Sequence, residues 1–427
     1  MKILVYPHDM NMGGSQLNAI ELASAVKQLG HEVIIAGQRG SLCEKVTELG
    51  LEFIELPTPG RRPSLNVIKA LKRIIVQHDI EIVHGYEWPP SLEAELACLN
   101  SPATAVSTVL SMSVAPFIPT SMPLLVGTEQ IAELERGFGR DMVDLMEPPV
   151  DTQLNRPDLK LPVHEKSQLW GIAEDGLTLA IISRLAYEMK LEGILRAIEV
   201  IGDYQGTETV QLVIAGSGPA NSDVAEAAMR VNDRTGQLRV ILTGEVEDPR
   251  WLYQRADIVL GMGSSILRAM AFGKPCVVQG ESGFWKVVDA TSLPDFLFGG
   301  WYGVGDGNEE GSRVLEAQLH PLLANGSLRQ KLGQFARNVV VERFSLEASV
   351  ARQEQFYTRV LEPGQGQRKG QGEKQLGARY AAATARFTRY KLQRLAARLR
   401  GTVAADDFNS TAALRTASRP EQPTVRA

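Results

Sequence analysis

Short apolar runs alternate with longer amphipathic stretches along most of the chain. In the first 150 residues, runs rich in Val, Ile and Leu at 3–7, 32–36, 52–56, 81–84, 104–110, 123–127 and 143–146 read as strands. They show little polar alternation, as burial on both faces requires. Helical periodicity lies between several of them, notably at 16–29, 64–77 and 90–99. This alternation predicts a doubly wound parallel sheet. A Pro-rich crossing at 147–157, EPPVDTQLNRP, leads into a second series of the same kind over 158–340. Further helical patterns follow at 310–323, 328–341 and 346–361. The expected fold class is α/β, with two doubly wound, Rossmann-like lobes at 1–150 and 158–340.

The second series carries the most informative loops. The stretch ADIVLGMGSSILRAMAFGKP places Gly263, Ser264 and Ser265 between an apolar run and a helix that continues to about Phe272. A helix beginning there presents unpaired N–H groups and the positive end of its dipole, which suits a phosphate. Either serine is a candidate cap. Upstream, LTLAIISRLAYEMKLEG puts Arg184 at a strand end and Lys190 at a helix start. Two more strands end at Gly216–Gly218 and at Gly244. In an open parallel sheet the C-terminal strand ends line one crevice, so all of these residues are expected at one edge. Structural turn glycines are the competing explanation for each glycine alone.

The first lobe offers a second group of candidates. Gly13 and Gly14, in HDMNMGGSQLNAIELA, allow close approach of backbone to a ligand ahead of a helix. VHGYEWPP brings His84, Glu87 and Trp88 to the end of the fourth strand, and Ser111 follows the fifth. His84 is a candidate substrate contact, with a purely structural role as the alternative. Glu87 and Trp88 are candidates for an acceptor site, since an exposed Trp stacks on sugar rings.

Composition changes the picture in two places. The net charge is −5, yet the chain from Gly364 onward has thirteen Lys/Arg against four Asp/Glu, leaving +9 there and −14 on the rest. An acidic body argues against nucleic acid as a partner. Residues 362–375 read as a linker, and 402–427 as disordered. Residues 378–400 read as a basic helix with an imperfect apolar stripe through Tyr380, Phe387, Leu392, Leu395 and Leu399. That helix either touches an anionic membrane surface or docks on the acidic body. Cys43, Cys98 and Cys276 show no metal or disulfide spacing, and no apolar run is long enough to span a membrane. A cytoplasmic protein is expected, with a peripheral position at the inner face of the membrane as an option. No metal and no cofactor are expected.

Taken together, these residues resemble the retaining GT-B glycosyltransferases of family 4. The resemblance spans roughly residues 1–360 and is best over 178–280. It implies two lobes facing across a cleft, with the final helix at 346–361 crossing back onto the first. It implies a nucleoside-diphosphate sugar as substrate, held mainly by the second lobe, and a glycan or lipid acceptor in cell-envelope or polysaccharide synthesis. By the same resemblance Arg184 and Lys190 hold the donor diphosphate, and Glu245 and Val246 lie against its base. Gly13 and Gly14 then contact the donor phosphates or the acceptor. Two departures stand out. The family's paired glutamates correspond here to Leu260 and Arg268, and Ser111–Met112 stands where many members have a histidine. Arg268 has donors only and cannot accept from ribose hydroxyls as a glutamate does. It therefore either weakens donor binding or contacts a phosphate itself. These departures motivate two rivals to a transferase: a member that binds nucleotide or glycan without turnover, and a nucleotide-sugar epimerase.

Overall fold

A computed structural model describes residues 1–11, 13–60, 62–111, 113–159, 161, 168, 170–307, 310–362, 381, 385 and 387–392. Met112 and most of the tail, including Tyr380, Leu395 and Leu399, lie outside the described residues. The chain divides into two compact units, one formed by Met1–Pro149 with Leu346–Ala427 and the other by Val150–Ser345.

Unit 1 begins with β1 (Lys2–Tyr6), α1 (Gly14–Gln28), β2 (Glu32–Gly37), α2 (Cys43–Glu48), β3 (Glu52–Glu55), α3 (Leu65–Gln77), β4 (Ile82–Tyr86) and α4 (Trp88–Cys98). It continues through β5 (Thr104–Val109), β6 (Leu124–Val126), α5 (Glu129–Gly137) and β7 (Val143–Leu145). The seven strands are parallel, in the order β3-β2-β1-β4-β5-β6-β7. Chain direction along the sheet therefore reverses between β1 and β4, where loops leave to opposite sides and open a crevice. The core strands β1, β4 and β5 are almost wholly buried, which accounts for their unbroken apolar runs.

Unit 2 contains β8 (Leu177–Ile182), α6 (Leu191–Asp203), β9 (Val210–Ala215), α7 (Asn221–Thr235), β10 (Val240–Gly244), α8 (Arg250–Arg255), β11 (Ile258–Gly261) and α9 (Ser264–Ala271). There follow β12 (Cys276–Gln279), β13 (Trp285–Val287), α10 (Leu293–Gly299), α11 (Gly311–Ala324) and α12 (Gly326–Arg343). Strand order is β10-β9-β8-β11-β12-β13, parallel except for the antiparallel edge strand β13. The reversal here falls between β8 and β11. The two-lobed α/β architecture read from the pattern is thus the architecture observed.

The last long helix, α13 (Leu346–Leu361), belongs to unit 1. Its Val350, Phe356, Tyr357 and Val360 join a buried cluster with Ile20, Leu22, Ala23 and Val26 of α1. A polar thread secures it as well. His84 in β4 is fully buried, with Nδ1 2.6 Å from the Tyr357 hydroxyl and Nε2 2.7 Å from Thr108 Oγ1. Gln353 donates to the same Tyr357 hydroxyl at 2.8 Å. This corrects one reading from the sequence. His84 has both ring nitrogens engaged inside the fold and no exposure, so it is a structural histidine.

Burial pushes the His84 pKa down to about 3. In the unfolded chain an ordinary histidine protonates near pH 6.5, where the folded one stays neutral. Its contribution to stability is therefore fully present above about pH 6.5 and is lost as pH falls toward 3, by up to about 1.4 kcal/mol per pH unit. Circular-dichroism melts of His84→Gln should show a shallower fall of Tm between pH 6.5 and 4 than the native chain. Parallel curves would mean that acid lability originates elsewhere.

Candidate functional site

In unit 2 the loop after β8 carries two cations. Lys190 is the half-buried N-cap residue of α6, and its Nζ donates to Ser183 Oγ at 2.9 Å. Burial lowers the Lys190 pKa, and the nearby positive charge of Arg184 lowers it further. The two head groups are thus close enough to repel. Among the described residues the exposed Arg184 guanidinium makes no hydrogen bond or ion pair. Two like charges held together at the reversal of strand direction form a site short of an anion.

The adjoining loops are shaped by backbone contact. A Cβ on Gly216 would collide with the Ser183 carbonyl, and one on Gly218 with the Leu185 carbonyl. Leu185 N–H donates to Ser217 O at 2.9 Å, and Ala220 N–H to Leu185 O at 3.0 Å. Gly216 and Gly218, expected at the same strand-end edge as Arg184 and Lys190, are glycines because the loops after β8 and β9 lie against each other. Ser217 Oγ donates to the Glu245 carboxylate at 3.2 Å and fixes its direction. Val246, grouped with Glu245 in the sequence reading, packs partly against the core of unit 2.

Helix α9 starts beside this group. Its cap is Gly263, at φ +60 where glycine alone is unstrained, and no side chain caps it. Ser264 opens the helix, and Ser265 Oγ donates backward to Met262 O at 2.9 Å, so neither serine fills the expected capping role. Leu260 is fully buried in the apolar core, which leaves that position with no polar group. Half-buried Arg268 lies near Tyr253, whose pKa burial raises and the Arg268 charge opposes. Its guanidinium makes no hydrogen bond or ion pair with a described residue.

A residue not singled out in the sequence holds the far side. Glu192, in the first turn of α6, accepts from Ser282 N at 3.0 Å and Gly283 N at 2.7 Å. This ties the loop after β12 to the helix that begins at Lys190. An acid in the first helical turn was the available signal, and it also favours the helix dipole.

Unit 1 has its own polar group at the β1–β4 reversal. Glu87 follows β4 with φ +62, a strained conformation for a non-glycine residue. Its carboxyl accepts from Leu110 N at 3.0 Å and Ser111 Oγ at 2.6 Å. Burial pushes its pKa up, against these hydrogen bonds. The Ser15 hydroxyl faces the same carboxyl, is buried, and has no well-formed hydrogen bond to a described residue. Gly13 and Gly14 sit immediately before it at the start of α1, and nothing lies within 4 Å of a Cβ placed on Gly14. The fold therefore brings Gly13, Gly14, Glu87 and Ser111 together. Trp88 differs from expectation. Its half-buried ring packs on Phe117 at 5.2 Å and Phe387 at 5.4 Å, so it is part of an aromatic cluster and not the freely exposed ring expected for stacking on a sugar.

Among the described residues no group of three or more His, Cys, Asp or Glu is placed to hold a metal, and no helix is long and apolar enough to cross a membrane.

Two Rossmann-like units in succession are the make-up of a GT-B fold, and the solved structures described below share it. Within it, residues 176–296 match the family model Glycosyl transferases group 1. The chain is 22% identical to N-acetyl-alpha-D-glucosaminyl L-malate synthase of Bacillus anthracis, over 84% of this chain and 96% of that protein. A glycosyltransferase from Rickettsia africae superposes with a TM-score of 0.66 at 17% identity, covering 85% of this chain and 99% of that one. Anabaena HepE in complex with UDP-glucose superposes with a TM-score of 0.64 at 14% identity, covering 84% and 99%. The likeness to GT-B glycosyltransferases read from the sequence is borne out.

The Glu192 tether can be tested directly. Hydrogen bonds to a charged acceptor contribute about 1.5–3 kcal/mol each. Glu192→Ala should thus lower unfolding free energy by about 2 kcal/mol in urea titration and raise amide exchange at 282–284. Unchanged exchange there would show that other contacts hold the loop.

Proposed function

We propose that this protein is a glycosyltransferase that moves a sugar from a nucleoside-diphosphate sugar, UDP-linked in the first instance, to a hydroxyl acceptor with retention. The observation that carries this reading is the Arg184–Lys190 pair, two neighbouring cations that make no ion pair with a described acid. A diphosphate leaving group gains negative charge as the glycosidic bond breaks, and fixed positive charge at that point lowers the barrier. Lys190 is oriented by Ser183, so little reorganisation is needed when the anion arrives. The start of α9 supplies further N–H groups next to the pair. The diphosphate itself flanks the developing sugar cation, so retention requires no protein nucleophile. The UDP-glucose complex of Anabaena HepE supports the choice of uridine donor.

Unit 1 is the acceptor side in this reading. Glu87, raised in pKa and held by Ser111, accepts a hydrogen bond from the attacking hydroxyl, while Gly13, Gly14 and Ser15 border the same space. An acceptor in envelope or polysaccharide synthesis belongs to this reading, and the name of the Bacillus relative adds a small hydroxy acid, L-malate, as another class of hydroxyl acceptor. A member that binds donor without turnover is the second reading, favoured by Leu260 and Arg268.

Measuring UDP release from a panel of UDP-sugars separates the two. Release that rises with a hydroxyl acceptor is expected, and tight UDP binding with no release from any donor would favour the binding protein. Arg184→Ala and Lys190→Ala should each weaken UDP by about ten- to a hundredfold in calorimetry, from loss of one charged hydrogen bond, and leave uridine unaffected. If Arg268 also reaches phosphate, Arg268→Ala reduces UDP affinity more than uridine affinity. Equal losses would assign Arg268 to Tyr253 and the fold.

A further inference from the structure

Helix α3 has two faces of different character. Its inner side, formed by Val67, Ile68, Ala70, Leu71, Ile74 and Ile75, is buried in the core of unit 1. Its outer side carries Leu65 and Val76, 73% and 75% exposed, the two most exposed large apolar side chains among the described residues. From their spacing in sequence they lie within about 20° of each other around the helix and about 16 Å apart along it. Lys69, Lys72 and Arg73 are exposed between them on the same side. The helix contains no acid. With the described residues, none of the three cations makes a hydrogen bond or ion pair. Glu55, which lines a groove together with Arg73, is taken by Arg39 at 2.9 Å.

We infer that this outer face of α3 is a docking surface for a bilayer containing anionic lipid. Three cations meet headgroup phosphates there, while the tips of Leu65 and Val76 enter the boundary beneath the headgroups. Both apolar tips reach a plane only when α3 lies flat along it, so the face also sets an orientation. Charge argues against the other occupants. The chain from Gly364 onward is +9 and is repelled by these cations. A second copy paired about a twofold axis on this face would set the same cations against themselves. A nucleic acid answers the charge but gains nothing from two protruding aliphatic side chains. The rest of the chain is −14, so an anionic surface repels it in general and an acid-free, cationic helix gives it one side of approach. The inference draws on no residue of either strand-end group and stands apart from the donor reading.

The test is cosedimentation of the full chain with vesicles. Binding to mixed phosphatidylglycerol and phosphatidylcholine vesicles is expected, with none to phosphatidylcholine alone. Combining Lys69→Gln, Lys72→Gln and Arg73→Gln should weaken binding about a hundredfold. Leu65→Ser with Val76→Ser should weaken it roughly tenfold and leave its salt dependence in place. On the native chain the mixed vesicles should protect Lys69 and Lys72 from acetylation, read by mass spectrometry, and this measurement stands even if a variant folds poorly. Vesicle binding that either variant leaves unchanged overturns the proposal, as does protection of Lys369 and Lys374 in place of Lys69 and Lys72. A solution dimer that the serine variant dissolves, or duplex DNA bound as tightly as the vesicles, overturns it too. UDP affinity should be equal in all three chains, so failure of the docking surface leaves the donor reading standing, and the reverse.

Discussion

Arg184 and Lys190 repel each other, and the loops around them are built to keep them adjacent all the same. Ser183 takes a hydrogen bond from the ammonium, and burial already disfavours its charged form. Gly216 and Gly218 let the neighbouring loop close against the Ser183–Leu185 backbone, which fixes where the pair stands. Glu192 anchors the next loop to the helix that starts at Lys190. The cost of holding like charges together is met by the fold before any ligand is present. An anion then gains attraction without reorganising its surroundings, which is the physical content of preorganisation.

Unit 1 repeats the same winding with opposite chemistry. Where unit 2 places cations at the reversal of strand direction, unit 1 places carboxylates. Glu87 is strained and held in a pocket of N–H and hydroxyl donors. Glu93, fully buried nearby in α4, accepts from Tyr6 at 2.8 Å and Ser64 N at 2.7 Å and pairs with Arg62. Burial drives the Glu93 pKa up, and Arg62 pulls it back. Glu93 is thereby neutralised within the fold. Glu87 has no such cation, and burial raises its pKa against hydrogen bonds alone.

The strands were legible because both faces of each sheet are covered, so Ile3–Val5, Leu179–Ile181 and Val259–Leu260 are apolar without interruption. Arg184 and Lys190 were legible because a charged residue at the end of such a run has only the strand-end crevice to occupy. What stayed hidden depended on partners remote in sequence. His84 looks like a free strand-end imidazole until Tyr357, 273 residues away, meets its Nδ1. Trp88 looks available until Phe387 covers it. Gly216 and Gly218 read the same whether a phosphate or another loop lies close, and only the position of the Ser183 and Leu185 carbonyls decides between these. Short helices such as α2, α8 and α10 span too few turns to leave a clear period in the chain.

The return of α13 to unit 1 also sets an order of assembly. Unit 2 is one unbroken stretch, Val150–Ser345, whereas unit 1 lacks the partner for α1 and for His84 until Leu346–Leu361 has been made. During synthesis the apolar face of α1 therefore waits while all of residues 29–345, unit 2 included, emerge. The first part to be translated is the last to be completed, and the nascent chain spends that interval with an unsatisfied sticky surface near its N-terminus.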